Sequence, residues 1–173
     1  VPNQELPAPA AWTPTAVGYA LCEIATGQLD LAASTLNSRR IINNTLGDYA
    51  LKLALCRLAV ARKEHAQAIA IIDPEVKESQ QFKVGQYLPE ALFLKGKTHW
   101  MNGEQDLAKA AFEGARLAAE SIGSRRLLWQ ILAALAEVES DQEKSAALKA
   151  QSRQIIQFIA GHITNDEVRS LFL

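Results

Sequence analysis

A chain of 173 residues, 49% hydrophobic and 21% charged, can bury a core as one domain without disulfides or a structural metal. The formal net charge of -1 and a pI near 6.4 exclude a broad electrostatic footprint for nucleic acid or an anionic membrane surface. Two cysteines, Cys22 and Cys56, are too few for a disulfide framework, and both read as buried free thiols of a reducing compartment.

Residues 1–13 hold Pro2, Pro7 and Pro9 among small and polar residues and read as a flexible or extended lead-in, with Trp12 at its edge. Thr13 as a cap and Pro14 in the first turn open a helix whose apolar positions Val17, Ala20, Leu21, Ile24 and Ala25 keep helical spacing. Gly27 ends it. A second helix starts at Asp30, with Leu31, Ala32, Thr35 and Leu36 on one face. It fades through Arg39-Arg40 into Asn43-Asn44-Thr45, which reads as a turn rather than a glycosylation site. A third helix covers roughly 48–62, and Lys63-Glu64 turns the chain into a fourth from Ala66 to Ile72. Asp73-Pro74 is expected to stop the fourth, because the residue before proline disfavours helical geometry. Glu75 to Lys83 then reads as a polar connection.

The fifth and sixth helices, about 89–102 and 104–121, flank a tight turn at Asn102-Gly103. Gly123 closes the sixth, and Ser124 caps a seventh over about 125–139. An eighth covers about 142–160, with Leu148, Ile155, Ile156 and Ile159 turned inward, and Gly161-His162 breaks it. Thr164 or Asn165 caps a short last helix from Asp166 to Leu171. No segment reads as a strand, no apolar run is long enough to span a bilayer, and no basic leader precedes an apolar core. The expectation is an all-α, cytoplasmic protein that binds neither membrane nor nucleic acid.

The helices repeat. An alanine stands about five residues beyond the turn in every second helix: Ala32, Ala68, Ala108 and Ala146, spaced by 36, 40 and 38 residues. Four residues later come Leu36, Ile72, Phe112 and Ala150, and twelve residues before the anchors stand Ala20, Cys56, Gly96 and Ala134. Antiparallel helices approach closely only where small side chains meet, and a larger residue one turn on fills the gap between hairpins. One hairpin cannot bury its apolar face alone, so such hairpins stack into a solenoid.

This pattern resembles the tetratricopeptide repeat, and the third copy resembles it best, with Leu92, Gly96, Ala108, Phe112 and Ala115 at the family's large-small-small-large-small positions. The first copy departs from it with Arg39 where a small residue is expected, the fourth with Ala150 in place of a large one, and the spacings exceed the family's usual 34. The resemblance implies a right-handed α-α superhelix of about four hairpins (14–42, 48–73, 86–122 and 124–160), with a capping helix at 164–172, making one domain over 14–173. The segment 128–136, with 155–160 and 166–173, is similar to the last segment of large bacterial regulators in which a tetratricopeptide array follows an AAA/STAND-type ATPase. That likeness implies a C-terminal sensor or scaffold part of a signalling protein.

No Walker loop and no glycine-rich dinucleotide loop is present, and His65, His99 and His162 stand apart from one another without metal-ligand spacing. No catalytic set, cofactor or metal is therefore expected. In arrays of this kind the concave groove is lined by the first helix of each hairpin. Carried over position by position, that gives Val17, Leu21 and Ile24, then Leu53, Arg57 and Val60, then Glu90, Phe93, Lys97, Trp100 and Met101, then Ile131, Leu135 and Val138. Arg57, Glu90, Phe93, Lys97, Trp100 and Met101 are the candidate partner groove, suited to a peptide with an apolar anchor and an acidic group. The competing expectation is that Phe93 and Trp100 pack between repeats. The function expected is a protein-protein interaction or sensor module, with a self-associating scaffold as the alternative.

Overall fold

A computed structural model describes residues 13–38, 46–81 and 85–172. The lead-in with Trp12, the Arg39-Arg40 pair and the Asn43-Asn44-Thr45 triplet lie outside the described residues. Nine α-helices and no strand occur among the described residues: α1 Thr13–Ala25, α2 Leu29–Asn37, α3 Leu46–Ala61, α4 His65–Gln81, α5 Leu88–Met101, α6 Gln105–Ser121, α7 Arg125–Val138, α8 Gln142–Gly161 and α9 Asp166–Phe172. The chain divides into two compact units, Val1–Ile71 and Ile72–Leu173.

In the first unit α1, α2 and α3 all touch one another. Their core is Val17, Ala20, Ala32, Leu36, Leu51, Ala54 and Leu58. In the second unit α5 touches α6 and α7, α6 touches α7, and α7 touches α8. The core there gathers Phe93, Ala108, Phe112, Ala115, Ala119, Leu127, Ile131, Leu135 and Val138. In each unit, then, one helix meets the next two in the chain, α1 with α2 and α3 and α5 with α6 and α7.

Four of the turns close in the same way. The amide of Gln28 donates to the Glu23 carbonyl and that of Gly27 to Ile24, and the same pair of bonds recurs at Glu64 and Lys63, at Glu104 and Gly103, and at Ser124 and Gly123. These Schellman closures require a left-handed residue at the pivot. Gly27, Gly103 and Gly123 supply it at φ of 77°, 79° and 66°, whereas Lys63 adopts φ 62° with a side chain attached. The residue after each pivot also starts the next helix, its carbonyl accepting from Ala32, Ala68, Ala108 and Leu128 in turn. One peptide therefore ends one helix and begins another, which is why these turns are so short. Ser124 holds the cap position of α7 without a side-chain capping bond, so its backbone rather than its hydroxyl makes this junction.

The small anchors are buried as their spacing requires: Ala20, Ala32, Cys56, Ala68 and Ala108 have no exposed surface, and Leu36, Ile72 and Phe112 have almost none. The fourth copy departs from this register. Ala146 and Ala150 are exposed, and Ser145 and Ser152 face α7 instead, donating to the carbonyls of Ala136 and Trp129 at 2.7 and 2.8 Å. The turn into α8 runs through extended residues Glu139 and Asp141 rather than a left-handed pivot, so α8 enters rotated. Asp141 caps it, accepting from the amides of Glu143 and Lys144.

Two further expectations need correction. Pro74 does not stop the fourth helix, for α4 continues through it to Gln81. Ile72 and Val76 are buried along it, and that apolar burial offsets much of the roughly 3 kcal/mol that an internal proline costs. Cys22 is exposed and only Cys56 is buried, because Ala16, Val17 and Ala20 form the inner face of α1 and residue 22 lies on the other side. At the chain's end Asn165, not Thr164, caps α9, accepting from the Val168 amide at 3.0 Å. No helix among the described residues is long and apolar enough to cross a membrane.

Candidate functional site

Helix α5 carries five of the six candidate residues. Glu90, Phe93, Lys97, Trp100 and Met101 recur at three- and four-residue steps, so they share one face. Pro89 in the first turn has no amide to leave unsatisfied there, and Glu90 places a carboxylate at the positive end of the helix. Arg126, at the start of α7, approaches the Glu90 carboxylate to 3.9 Å.

Along this face the side chains divide by burial. Phe93 is 5% exposed and belongs to the core of its unit, its ring 5.8 Å from that of Phe112. Trp100 is half-buried and packs on the edge of the same core. The Lys97 ammonium stands 5.7 Å from the centre of the Phe93 ring, a cation–π distance. Met101, 41% exposed, is the outermost of the set. Burial thus falls along this face, from Phe93 in the core through half-buried Trp100 and Lys97 to exposed Met101. Arg57 lies half-buried on α3, in the first unit.

The other positions carried over as groove lining are mostly interior. Val17, Leu53, Val60, Ile131, Leu135 and Val138 are buried, and among them only Leu21 is exposed. Sequence spacing alone could not separate buried from exposed positions, because both occur at the same helical repeat.

The turn behind Met101 is fixed by polar contacts that the sequence did not announce. Glu104 accepts from Asn102 Nδ2 at 2.8 Å, and its other carboxylate oxygen meets His99 Nδ1 at 2.5 Å. His99 is thereby a turn-locking residue. A second such lock joins α6 to the end of α7. Glu139 takes a hydrogen bond from Lys109 Nζ at 2.9 Å and another from the Asp141 amide at 3.2 Å. The Lys109 bond, helped by the Asp141 amide, holds the Glu139 carboxyl below its usual range, and the same bond raises the Lys109 ammonium. At the far end of the unit the Arg125 guanidinium lies 4.3 Å from the Phe158 ring, which stacks at 4.4 Å on His162.

No group of three or more His, Cys, Asp or Glu side chains is placed to hold a metal ion among the described residues. Burial pushes the Cys56 thiol up to about 12, against a smaller opposing effect of Arg57. A thiol so far from ionisation is no nucleophile near neutral pH.

No protein-family model, no curated protein and no solved structure matches this chain.

Proposed function

We propose that this chain is a non-catalytic protein-protein interaction or sensor module, a superhelical stack of tetratricopeptide-like hairpins whose partner surface is the α5 face. The observation that carries the reading is the sorting of that face: Phe93 buried in the core, Trp100 and Lys97 half-buried, Met101 exposed. An apolar anchor set on a rigid helix beside a cation suits a short segment with one large apolar side chain and a nearby carboxylate. The repeated turn closures and the buried small anchors of the first three copies support the hairpin stack. The likeness of the last segment to bacterial ATPase regulators supports a place at the C-terminal end of a larger signalling protein.

A peptide-display selection against the whole chain tests this. Enriched peptides are expected to share an apolar residue and an acid, and Lys97→Glu is expected to abolish their binding while lowering the unfolding temperature by only a few degrees, for loss of the Phe93 contact. Peptides that bind Lys97→Glu and Met101→Ala as well as the parent chain would place the partner surface elsewhere.

A further inference from the structure

One turn of the chain carries covalent chemistry of its own. Asn102-Gly103, between α5 and α6, is the only asparagine-glycine pair in the sequence. Both residues are exposed. The side-chain amide of an asparagine is electrophilic at Cγ, and the amide nitrogen of the following residue can attack it through a five-membered ring. A glycine leaves that nitrogen unshielded, because it has no β-carbon. Here glycine stands at 103 for another reason, since the turn needs a φ of 79° at its pivot. The turn itself thus brings in the residue that makes the pair reactive.

The folded turn holds this reaction off. Ring closure needs the Asn102 β-carbon and the Gly103 nitrogen on the same side of the Cα–C bond. At a ψ of 1° the Asn102 nitrogen occupies that side instead. The Gly103 amide donates to the Trp100 carbonyl at 3.0 Å. Asn102 Nδ2 donates to Glu104 Oε1 at 2.8 Å, and the other oxygen of that carboxylate meets Nδ1 of the largely buried His99. The Glu104 amide in turn donates to the His99 carbonyl at 2.9 Å. Glu104 thus ties the Asn102 side chain to the end of α5.

We propose that Asn102 is a site of spontaneous self-modification, and that Glu104 sets its pace by restraining the asparagine. When the turn opens, the Gly103 nitrogen gives up its proton and bonds to Asn102 Cγ. The Cγ–Nδ2 bond breaks, and Nδ2 leaves as ammonia. Water then opens the cyclic imide. Cleavage of the new Cγ–N bond gives aspartate. Cleavage of the original peptide C–N bond gives isoaspartate, with the main chain running through Cγ. Neither product fits the turn. Each puts a carboxylate at the negative, C-terminal end of α5. The aspartate also faces the Glu104 carboxylate where a hydrogen bond stood. The isoaspartate lengthens the main chain inside the paired bonds to the Trp100 and His99 carbonyls. The α5–α6 hairpin therefore loosens as the chain ages. The inference stands on the geometry of this turn and does not depend on the partner reading.

Incubation of the whole chain at mildly alkaline pH, followed by peptide mapping with mass spectrometry, tests it. Conversion is expected to concentrate at Asn102, to yield both aspartate and isoaspartate, and to run faster in urea-unfolded chain than in folded chain. Glu104→Ala is expected to speed it about tenfold in the folded chain, through loss of the charge-assisted bond to Asn102. Glu104→Gln keeps an oxygen for Asn102 and is expected to fall between the two. Phe112→Leu weakens the core without touching the turn and is expected to leave the rate unchanged, which separates local opening from global unfolding. Asn102→Asp, which installs one product directly, is expected to unfold at a lower temperature than the parent. A folded Glu104→Ala chain that converts no faster than the parent, or a rate that rises in Phe112→Leu as much as in Glu104→Ala, overturns the proposal.

Discussion

Phe112 occupies the space in which a side chain at position 96 would stand. A β-carbon built on Gly96 would lie 2.5 Å from two atoms of the Phe112 ring, well inside van der Waals contact. The first copy answers the same pairing with Ala20 and Leu36, both fully buried. The two copies thus hold one volume divided differently between the facing helices. Gly96→Ala is expected to destabilise the fold by about 1–3 kcal/mol through overpacking. Phe112→Leu alone leaves a void and costs about 1 kcal/mol. The double variant recreates the Ala20–Leu36 combination and is expected to be more stable than the sum of the two losses, with a coupling of at least about 0.5 kcal/mol. Urea unfolding of the four proteins measures the cycle, and strict additivity would show that the pair is not matched.

Lys63 pivots a turn that glycine pivots elsewhere. Its φ of 62° matches Gly27 and Gly103 at the equivalent turns, but its β-carbon is crowded in that conformation. Lys63→Gly is expected to stabilise the chain by about 0.5–1 kcal/mol, relief of strain exceeding the added freedom of the unfolded state. Lys63→Ala keeps the β-carbon and is expected to change stability by less than about 0.5 kcal/mol. Equal gains from both variants would trace the effect to the lysine charge rather than to the backbone.

The elements were legible in the sequence wherever a local cause sets them. Gly27, Gly103 and Gly123 mark turns because their backbones are left-handed, and Ala32, Ala68 and Ala108 mark close helix contacts because nothing larger fits. Pro74 misleads because much of proline's local cost is offset by the burial of Ile72 and Val76, which no local rule contains. Ala146 misleads because α8 offers several small residues in a row, and hydrogen bonds to α7 carbonyls select Ser145 and Ser152 among them. At the candidate site, periodicity found the face of α5 but not its depth. Phe93 and Met101 obey the same spacing, and only the packing of Phe112 beneath the first distinguishes them.

The Lys109–Glu139 pair gives stability a defined dependence on pH. The Glu139 carboxyl is held below its ordinary range, so its contribution is complete above the unfolded carboxylate pKa of about 4.3 and is lost as pH falls through the folded value. The Lys109 ammonium is raised, so its contribution is complete below about 10.4 and is lost as pH rises through the folded value. Between these limits the pair contributes a constant amount. Glu139→Gln is expected to lower stability by the same margin at pH 6 and pH 8, with the margin closing below about pH 4. Asp141 keeps its capping bonds to α8 in this variant, so the helix content should not change. A margin that persists undiminished at low pH would show that Glu139 acts through packing and not through its charge.

The two thiols should react at very different rates. Cys22 is exposed, whereas Cys56 is buried, lies 3.7 Å from the Ala68 carbonyl, and has its pKa pushed up to about 12. Because the thiolate is the reacting species, Cys56 at pH 8 combines a small ionised fraction with closed access. A disulfide reagent at pH 8 is expected to titrate one thiol per native chain quickly and the second only slowly, through the small population of unfolded chain. Adding urea below the midpoint should then accelerate the slow phase in proportion to the unfolded population, since both barriers vanish together when α3 leaves α4. Replacing Cys22 by serine should remove the fast phase and leave the slow one. Rapid reaction of Cys56 in that variant would mean that α3 and α4 separate locally, without the rest of the unit unfolding.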